Sequence, residues 1–339
     1  MNQSFDFLNS NKTSSVYNLC SEIKSFSEIY LITSIAILSF FSSIILLCAL
    51  NKIRIQRIKN PNSDFQMFKY FLYKSIFEAL VYLTRSLNPL ISADSSISPK
   101  NIYIIQFISM LISNYLRSSL ILVFVFCEIG AQYSCLMKIN KKFRLYKFKD
   151  IINLMIFIIY SFSFYSYRIL SYELRTINNL NSTDITYKIM KTNFKDSLIF
   201  IYLDSFHTFF RDFICVFILF IINILIVYSF RKAIKAKKKM VYIKNTKDNK
   251  IPKSNKLDLV EKRTVIMVIL IGSSQILGRF PTFIRDFIIF KMNTNDCFNA
   301  ISTVLFYIHS LINLFILYFF NNLVRKSLNS TFIMRRRKR

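Results

Sequence analysis

Tryptophan is missing from this chain altogether, glycine occurs three times and histidine twice. Scarce glycine removes the loops that cradle phosphates, and none of the familiar glycine-rich motifs is present. The two histidines and six cysteines form no cluster with metal-ligand spacing. No nucleophile–base arrangement and no paired catalytic carboxylates occur, so an enzyme is not expected. Acidic residues are outnumbered, 18 against 46 Lys and Arg, for a formal charge of +28. Such an excess can signal nucleic acid, but here the basic residues lie between apolar runs and make no single basic face.

What the chain has instead is apolar bulk. Of its 339 residues 53% are hydrophobic, with 36 Phe and 19 Tyr, and mean hydropathy is +0.37. An integral membrane protein is the class that fits. A span needs about 20 mostly apolar residues. Runs at 29–50, 66–92, 102–135, 150–170, 199–230, 262–290 and 298–320 qualify as candidates. The expected fold is an all-α membrane protein: a seven-transmembrane helix bundle (29–320) after an extracellular N-terminal arm (1–28). An amphipathic helix and basic cytoplasmic tail (321–339) close the chain. The first 28 residues lack the features of a cleaved signal peptide, so the first span is expected to act as a signal anchor.

Loop charge sets the orientation. The segments 51–69, 136–149, 231–263 and 321–339 hold 31 basic residues, and the opposite side holds eight. The bias puts the N-terminus outside and the C-terminus in the cytoplasm. Three sequons, at Asn2, Asn11 and Asn181, fall on the expected outer side as glycosylation sites. The stretch 237–256 reads as a solvated cytoplasmic loop. Cys48, Cys127, Cys135 and Cys215 sit in or near spans as small apolar residues. Cys20 and Cys297 share the outer side, where an oxidising compartment would permit a disulfide.

Charged residues inside the spans are the candidate site. An Arg at a helix centre costs roughly 2.5–3.5 kcal/mol on the translocon scale. Lys74, Arg85, Arg117, Arg168, Arg211, Arg279 and Arg285 therefore cannot all face lipid. One reading makes Arg117, Arg279, Arg85, Arg211 and Arg285, with Asp286, an outer ligand pocket of net positive charge suited to a carboxylate. The other has Arg211, Arg279 and Arg285 pair with Asp212 and Asp286 to hold helices together, or snorkel to the headgroups. His207 and His309 read as hydrogen-bonded packing residues.

The last span carries His309-Ser310-Leu311-Ile312-Asn313-Leu314, and Phe315 to Lys326 follow directly. This segment, on seven spans with the N-terminus outside, resembles the rhodopsin-like (class A) G-protein-coupled receptors, of a divergent invertebrate chemosensory or peptide-receptor type. The family motif reads Asn-Ser-x-x-Asn-Pro-x-x-Tyr before an amphipathic helix. His309 stands for its first Asn, Leu314 for its Pro and Leu317 for its Tyr, with Tyr318 adjacent. Gly278-Arg279-Phe280-Pro281 keeps the Pro of the sixth-helix motif. The resemblance implies an activation relay of Glu78, Ser310, Asn313, Pro281, Tyr228 and Tyr318, and no cofactor beyond the sodium ion or water that relatives hold at the position of Glu78. It implies a G-protein side bearing Glu128, Glu261 and Arg325, although Ile129 stands where the family has Arg. The implied partners are an extracellular ligand, a heterotrimeric G protein and membrane lipids, at the plasma membrane. A ligand-gated chemoreceptor channel or transporter, and a non-signalling receptor relative, remain the alternatives.

Overall fold

A computed structural model describes residues 30–58, 66–87, 102–140, 150–178, 185–245, 255–287 and 296–337. The chain is rich in β-branched Ile yet almost wholly helical there. In hydrocarbon each backbone N–H and C=O must be satisfied within the segment, and that requirement overrides side-chain propensity.

The helices are α1 (Ile32–Ile58), α2 (Gln66–Ser86), α3 (Tyr103–Ile139) and α4 (Asp150–Phe164, prolonged by a 3₁₀ turn, Ser166–Ser171). After them come strands β1 (Tyr172–Asn178) and β2 (Ile185–Lys191). The chain continues as α5 (198–245), α6 (Asn255–Phe287), α7 (Asp296–Phe320) and α8 (Asn322–Arg337). Six of the described helical stretches are long and apolar enough to cross a membrane: Ile32–Ile55, Tyr103–Ile139, Ile151–Ser171, Leu198–Ala236, Lys262–Ile284 and Ile301–Phe320. The architecture is therefore consistent with a multi-pass all-α membrane protein. Of the seven expected spans, α2 falls short of that standard because Lys69, Lys74, Glu78 and Arg85 interrupt its apolar run.

The helices close into a ring. α1 packs on α2 and α7, α7 on α6, α6 on α5, and α3 lies against α2, α4, α5 and α6. Cross-helix contacts show alternating directions. Tyr70 near the start of α2 meets Asn153 near the start of α4 (2.9 Å), and Arg168 at the end of α4 meets Ser118 in the first half of α3 (2.6 Å). One end of the bundle thus carries the β1–β2 hairpin and the other carries α8. Two apolar clusters fill the interior. Leu50, Phe71, Leu136, Ile226, Met267 and Leu317 anchor the α8 end. Ile32, Tyr82, Leu122, Phe124, Tyr165 and Phe306 anchor the hairpin end. The outward face of α4 is apolar and exposed at Ile151, Ile152, Met155, Ile156 and Ile159, as a lipid-facing helix requires.

Close helix approach depends on glycine at two places. A Cβ on Gly130 of α3 would come within 2.8 Å of the Tyr70 ring, and one on Gly272 of α6 would collide with the side-chain amides of Gln132 and Asn223. Small residues at such contacts let helices pack tightly where lipid supplies no hydrophobic drive.

α8 begins at a capped turn. Asn321 Oδ1 accepts from the backbone N–H of Leu323 (3.0 Å) and Val324 (3.2 Å), satisfying two orphan donors. Val324, Ser327 and Leu328 recur at helical spacing and are buried, while Arg325 and Lys326 are exposed. Ser327 donates to the Ala49 carbonyl (3.2 Å) and Lys52 to Ser330 (2.7 Å), so α8 docks on the end of α1.

The hairpin falls between the expected spans 150–170 and 199–230, where the sequence analysis places no regular element. Tyr172 pairs with Lys191 and Asn178 with Ile185 in an antiparallel register. Tyr103 at the start of α3 packs edge-on against Tyr187 at 5.4 Å, fixing the hairpin over the bundle.

Candidate functional site

The α2 helix carries two ionisable residues four positions apart. That spacing puts Lys74 and Glu78 on one helical face, and the face points inward: they are 3% and 2% exposed, whereas Ile76 and Leu80 look outward. Lys74 Nζ lies 2.6 Å from Glu128 Oε2 of α3 and 3.6 Å from Glu78 Oε1. Glu128 Oε1 accepts from Gln132 (3.0 Å), one turn further along α3. From α7, His309 Nε2 comes within 3.6 Å of Glu78 Oε1. His309 Nδ1 faces the Phe306 carbonyl. The contact lies within its own helix and orients the ring. Ser310 lies beside Tyr82, and Asn313 Oδ1 accepts from Ser274 of α6 at 3.0 Å. Four helices thus converge on one buried polar core.

A second group lies nearer the hairpin end. Residues Phe210–Ile214 of α5 form a π turn. The turn brings Arg211 and Asp212, sequence neighbours, into a mutual ion pair; in a regular helix neighbours diverge by about 100°. Wide turns of this kind concentrate at functional positions. Asp212 Oδ1 also accepts from Arg279 Nη1 of α6 at 2.9 Å. Arg279 is wholly buried, its guanidinium 5.1 Å from the Phe124 ring centre and 5.2 Å from that of Phe306, within cation–π range. Phe124 in turn stacks on His309 at 6.3 Å. Phe124 therefore connects the two groups, with Arg279 on one side and His309 on the other.

A rim completes this end. Arg168 donates to Asp204 (3.0 Å from Nε) and to Ser118 (2.6 Å from Nη1), and Tyr167 donates to Asp204 at 2.8 Å. His207 lies on the Phe164 ring at 3.7 Å between Tyr165 and Tyr167. It is a packing residue here.

Of the expected pocket residues, two fall in the group around Asp212. Arg279 and Arg211 meet on Asp212, which is the helix-pairing arrangement. Arg85 and Arg117 are half-buried on α2 and α3, within electrostatic reach of each other. The side chains of Arg285, Asp286, Glu261 and Cys297 lie outside the described residues, as do Cys20, Asn2, Asn11 and Asn181. Of the expected relay, Glu78, Ser310 and Asn313 fall in the polar core, and Pro281 is half-buried within α6. Tyr318 reaches α8 instead, 3.5 Å from Asn329.

Three expectations change. Tyr228, expected in the relay as the match of a Tyr that looks inward during activation, is 64% exposed on α5. Glu128, read as lying on the cytoplasmic side, is 0% exposed and belongs to the core, because Lys74 of the neighbouring helix draws it in. Arg325 alone of that group is seen at the surface, donating to Asn322 (2.8 Å). The sodium ion expected near Glu78 does not fit the residues present. The Glu78 and Glu128 carboxylates already face an ammonium, so the cation of this site is Lys74 itself. Thermal unfolding in detergent is therefore expected at the same temperature in sodium, potassium and choline chloride. A ligand bound only by the folded state raises Tm, so a sodium-specific rise would contradict this assignment.

Sequence reasoning missed Gln132, Ser274, Tyr82, Tyr165 and the bridging Phe124. The Lys74–Glu78 spacing in an apolar helix was the legible signal for the core. The sequence matches no known protein-family pattern and no curated protein at a significant level of similarity.

Proposed function

We propose that the chain is a class A-type G-protein-coupled receptor of the plasma membrane. It binds an extracellular peptide or small chemosensory molecule near the hairpin end and signals to a heterotrimeric G protein at the α8 end. On this reading α2 is the second of seven spans, tolerated in lipid because Lys74 and Glu78 turn inward. One observation carries the proposal. Buried charge runs from Asp212 and Arg279 through Phe124 and His309 to Glu78, Lys74 and Glu128, joining one end of the bundle to its middle across five helices.

A ligand shifts a conformational equilibrium by binding one state better. Pro281 offers the movable joint: it cannot donate to the Leu277 carbonyl, which weakens α6 at that turn. Movement of α6 at Arg279 would be felt by Phe124, and through it by His309 and Glu78. The Ser274–Asn313 bond ties α6 to α7 below this point.

The test is nucleotide exchange on G protein in membranes of cells expressing the receptor. Asn313→Ala and Pro281→Ala are expected to lose most agonist-driven exchange while surface expression holds. Full signalling in both variants would sink the mechanism, and agonist-evoked current without G protein would point to a channel. Topology is read separately by deglycosylation, where a mobility shift that shrinks in Asn181→Gln places the hairpin outside.

A further inference from the structure

Arg279 is the largest fully buried side chain among the described residues. Among the described residues only its Nη1 has an acceptor, Asp212 Oδ1. Nε and Nη2 meet no hydrogen-bond partner among them, although both are sealed from solvent. These two nitrogens form one edge of the guanidinium, the parallel fork that takes an oxyanion in bidentate fashion. Asp212 cannot serve that edge: its Oδ1 is shared between Arg279 and Arg211 Nε, and its Oδ2 is taken by Arg211 Nη2. A further buried group, the Tyr165 hydroxyl, also has no hydrogen-bond partner among the described residues, and it lies within electrostatic reach of Arg279. Buried donors normally find acceptors, and leaving them unmatched costs about 1–3 kcal/mol each. What this place lacks is an acceptor carrying negative charge.

We infer that the Nε–Nη2 edge of Arg279 is the docking point for a carboxylate on a small ligand with an aromatic or apolar body. The walls support that body: Phe124 and Phe306 flank the guanidinium. A carboxylate is favoured over a cation by Arg279 itself and over a neutral amide by the charge-assisted fork. Entry needs the turns above Arg279 to part, and Pro281 lies two residues along α6 in that direction. This inference names the ligand chemistry of the receptor proposed above and rests on it for its biological role. Its test contains no G protein, so failure of binding and failure of signalling are read independently.

The experiment is thermal unfolding of the purified full chain in detergent micelles, at constant ionic strength, with sodium phenylacetate, phenylacetamide or added sodium chloride. Phenylacetate is expected to raise Tm at about tenfold lower concentration than the amide, as a charge-assisted bond requires, with chloride giving no rise. The Arg279→Gln variant leaves Asp212 paired with Arg211, so the fold should persist while the phenylacetate effect vanishes. Should that variant fail to fold, Arg279→Lys keeps a cation opposite Asp212 but lacks the fork, and the effect should shrink to the level of the amide. Tyr165→Phe should weaken it partially. Equal stabilisation by the amide or by chloride, an undiminished effect in the arginine variants, or no effect of phenylacetate on the natural chain would each overturn the site.

Discussion

Replacing Lys74 with methionine is expected to destabilise the folded protein by about 3–5 kcal/mol, the loss seen when one partner of a buried ion pair is removed. The lysine is 3% exposed and its ammonium serves two carboxylates, at 2.6 Å on Glu128 and 3.6 Å on Glu78. Without it, among the described residues, Glu128 keeps the Gln132 amide and Glu78 keeps His309. Both charges would stay in a core that water does not reach, where they are far costlier than at a surface. Methionine matches the length of the lysine stem, so the loss reports charge rather than a cavity. The double variant Lys74→Met, Glu128→Gln removes one charge of each sign and is expected to recover at least half of the deficit. Equilibrium unfolding in micelles measures both, and a single-variant loss under about 1 kcal/mol would mean the pair is solvated like a surface one.

Phe124→Ala is expected to lose about 3–5 kcal/mol, the range for truncating a fully buried aromatic residue. The ring is 0% exposed and packs against Phe306 at 6.4 Å, His309 at 6.3 Å and the Arg279 guanidinium at 5.1 Å. Its removal leaves a void and also strips one aromatic face from a buried cation. Phe124→Leu fills most of the volume and should cost about 1–2 kcal/mol, the share belonging to the cation–π contact and shape. The functional signature differs from the structural one. If Phe124 couples the Arg279 group to the His309–Glu78 group, Phe124→Leu should uncouple them. In a double-mutant cycle on stability, Arg279→Gln with His309→Gln should show an interaction energy in the natural background that falls to near zero in the Phe124→Leu background. An interaction unchanged by the leucine would mean the ring only fills space.

The legible parts of the fold and the illegible ones separate by range. Segments such as 29–50 and 150–170 announce themselves as spans by about 20 apolar residues in a row. The observed α1 and α4 lie over them, with α1 running on to Ile58 because its basic turns are good helix formers. The amphipathic helix after Phe320 was visible in its alternation of apolar and basic residues, and Asn321 supplies its cap. The hairpin was missed because seven-residue strands bounded by polar loops give a weak signal beside long apolar helices. The π turns at Leu111–Leu116 and Phe210–Ile214 leave no trace in composition at all.

The candidate site shows the same division. The sequence by itself determined that Lys74, Glu78, Arg279 and Asp212 had to avoid lipid, because an ionised group in hydrocarbon is expensive wherever the chain puts it. It could not say which residue meets which. Pairing depends on helix rotation and on contacts between residues far apart in the chain, 54 positions from Lys74 to Glu128 and 67 from Asp212 to Arg279. Only the packed bundle decided that Glu128 turns into the core, that Tyr228 turns out of it, and that lysine fills the place where a sodium ion was expected. Burial cost is a property of one residue type, legible in sequence; partnership is a property of two surfaces and exists only once they have met.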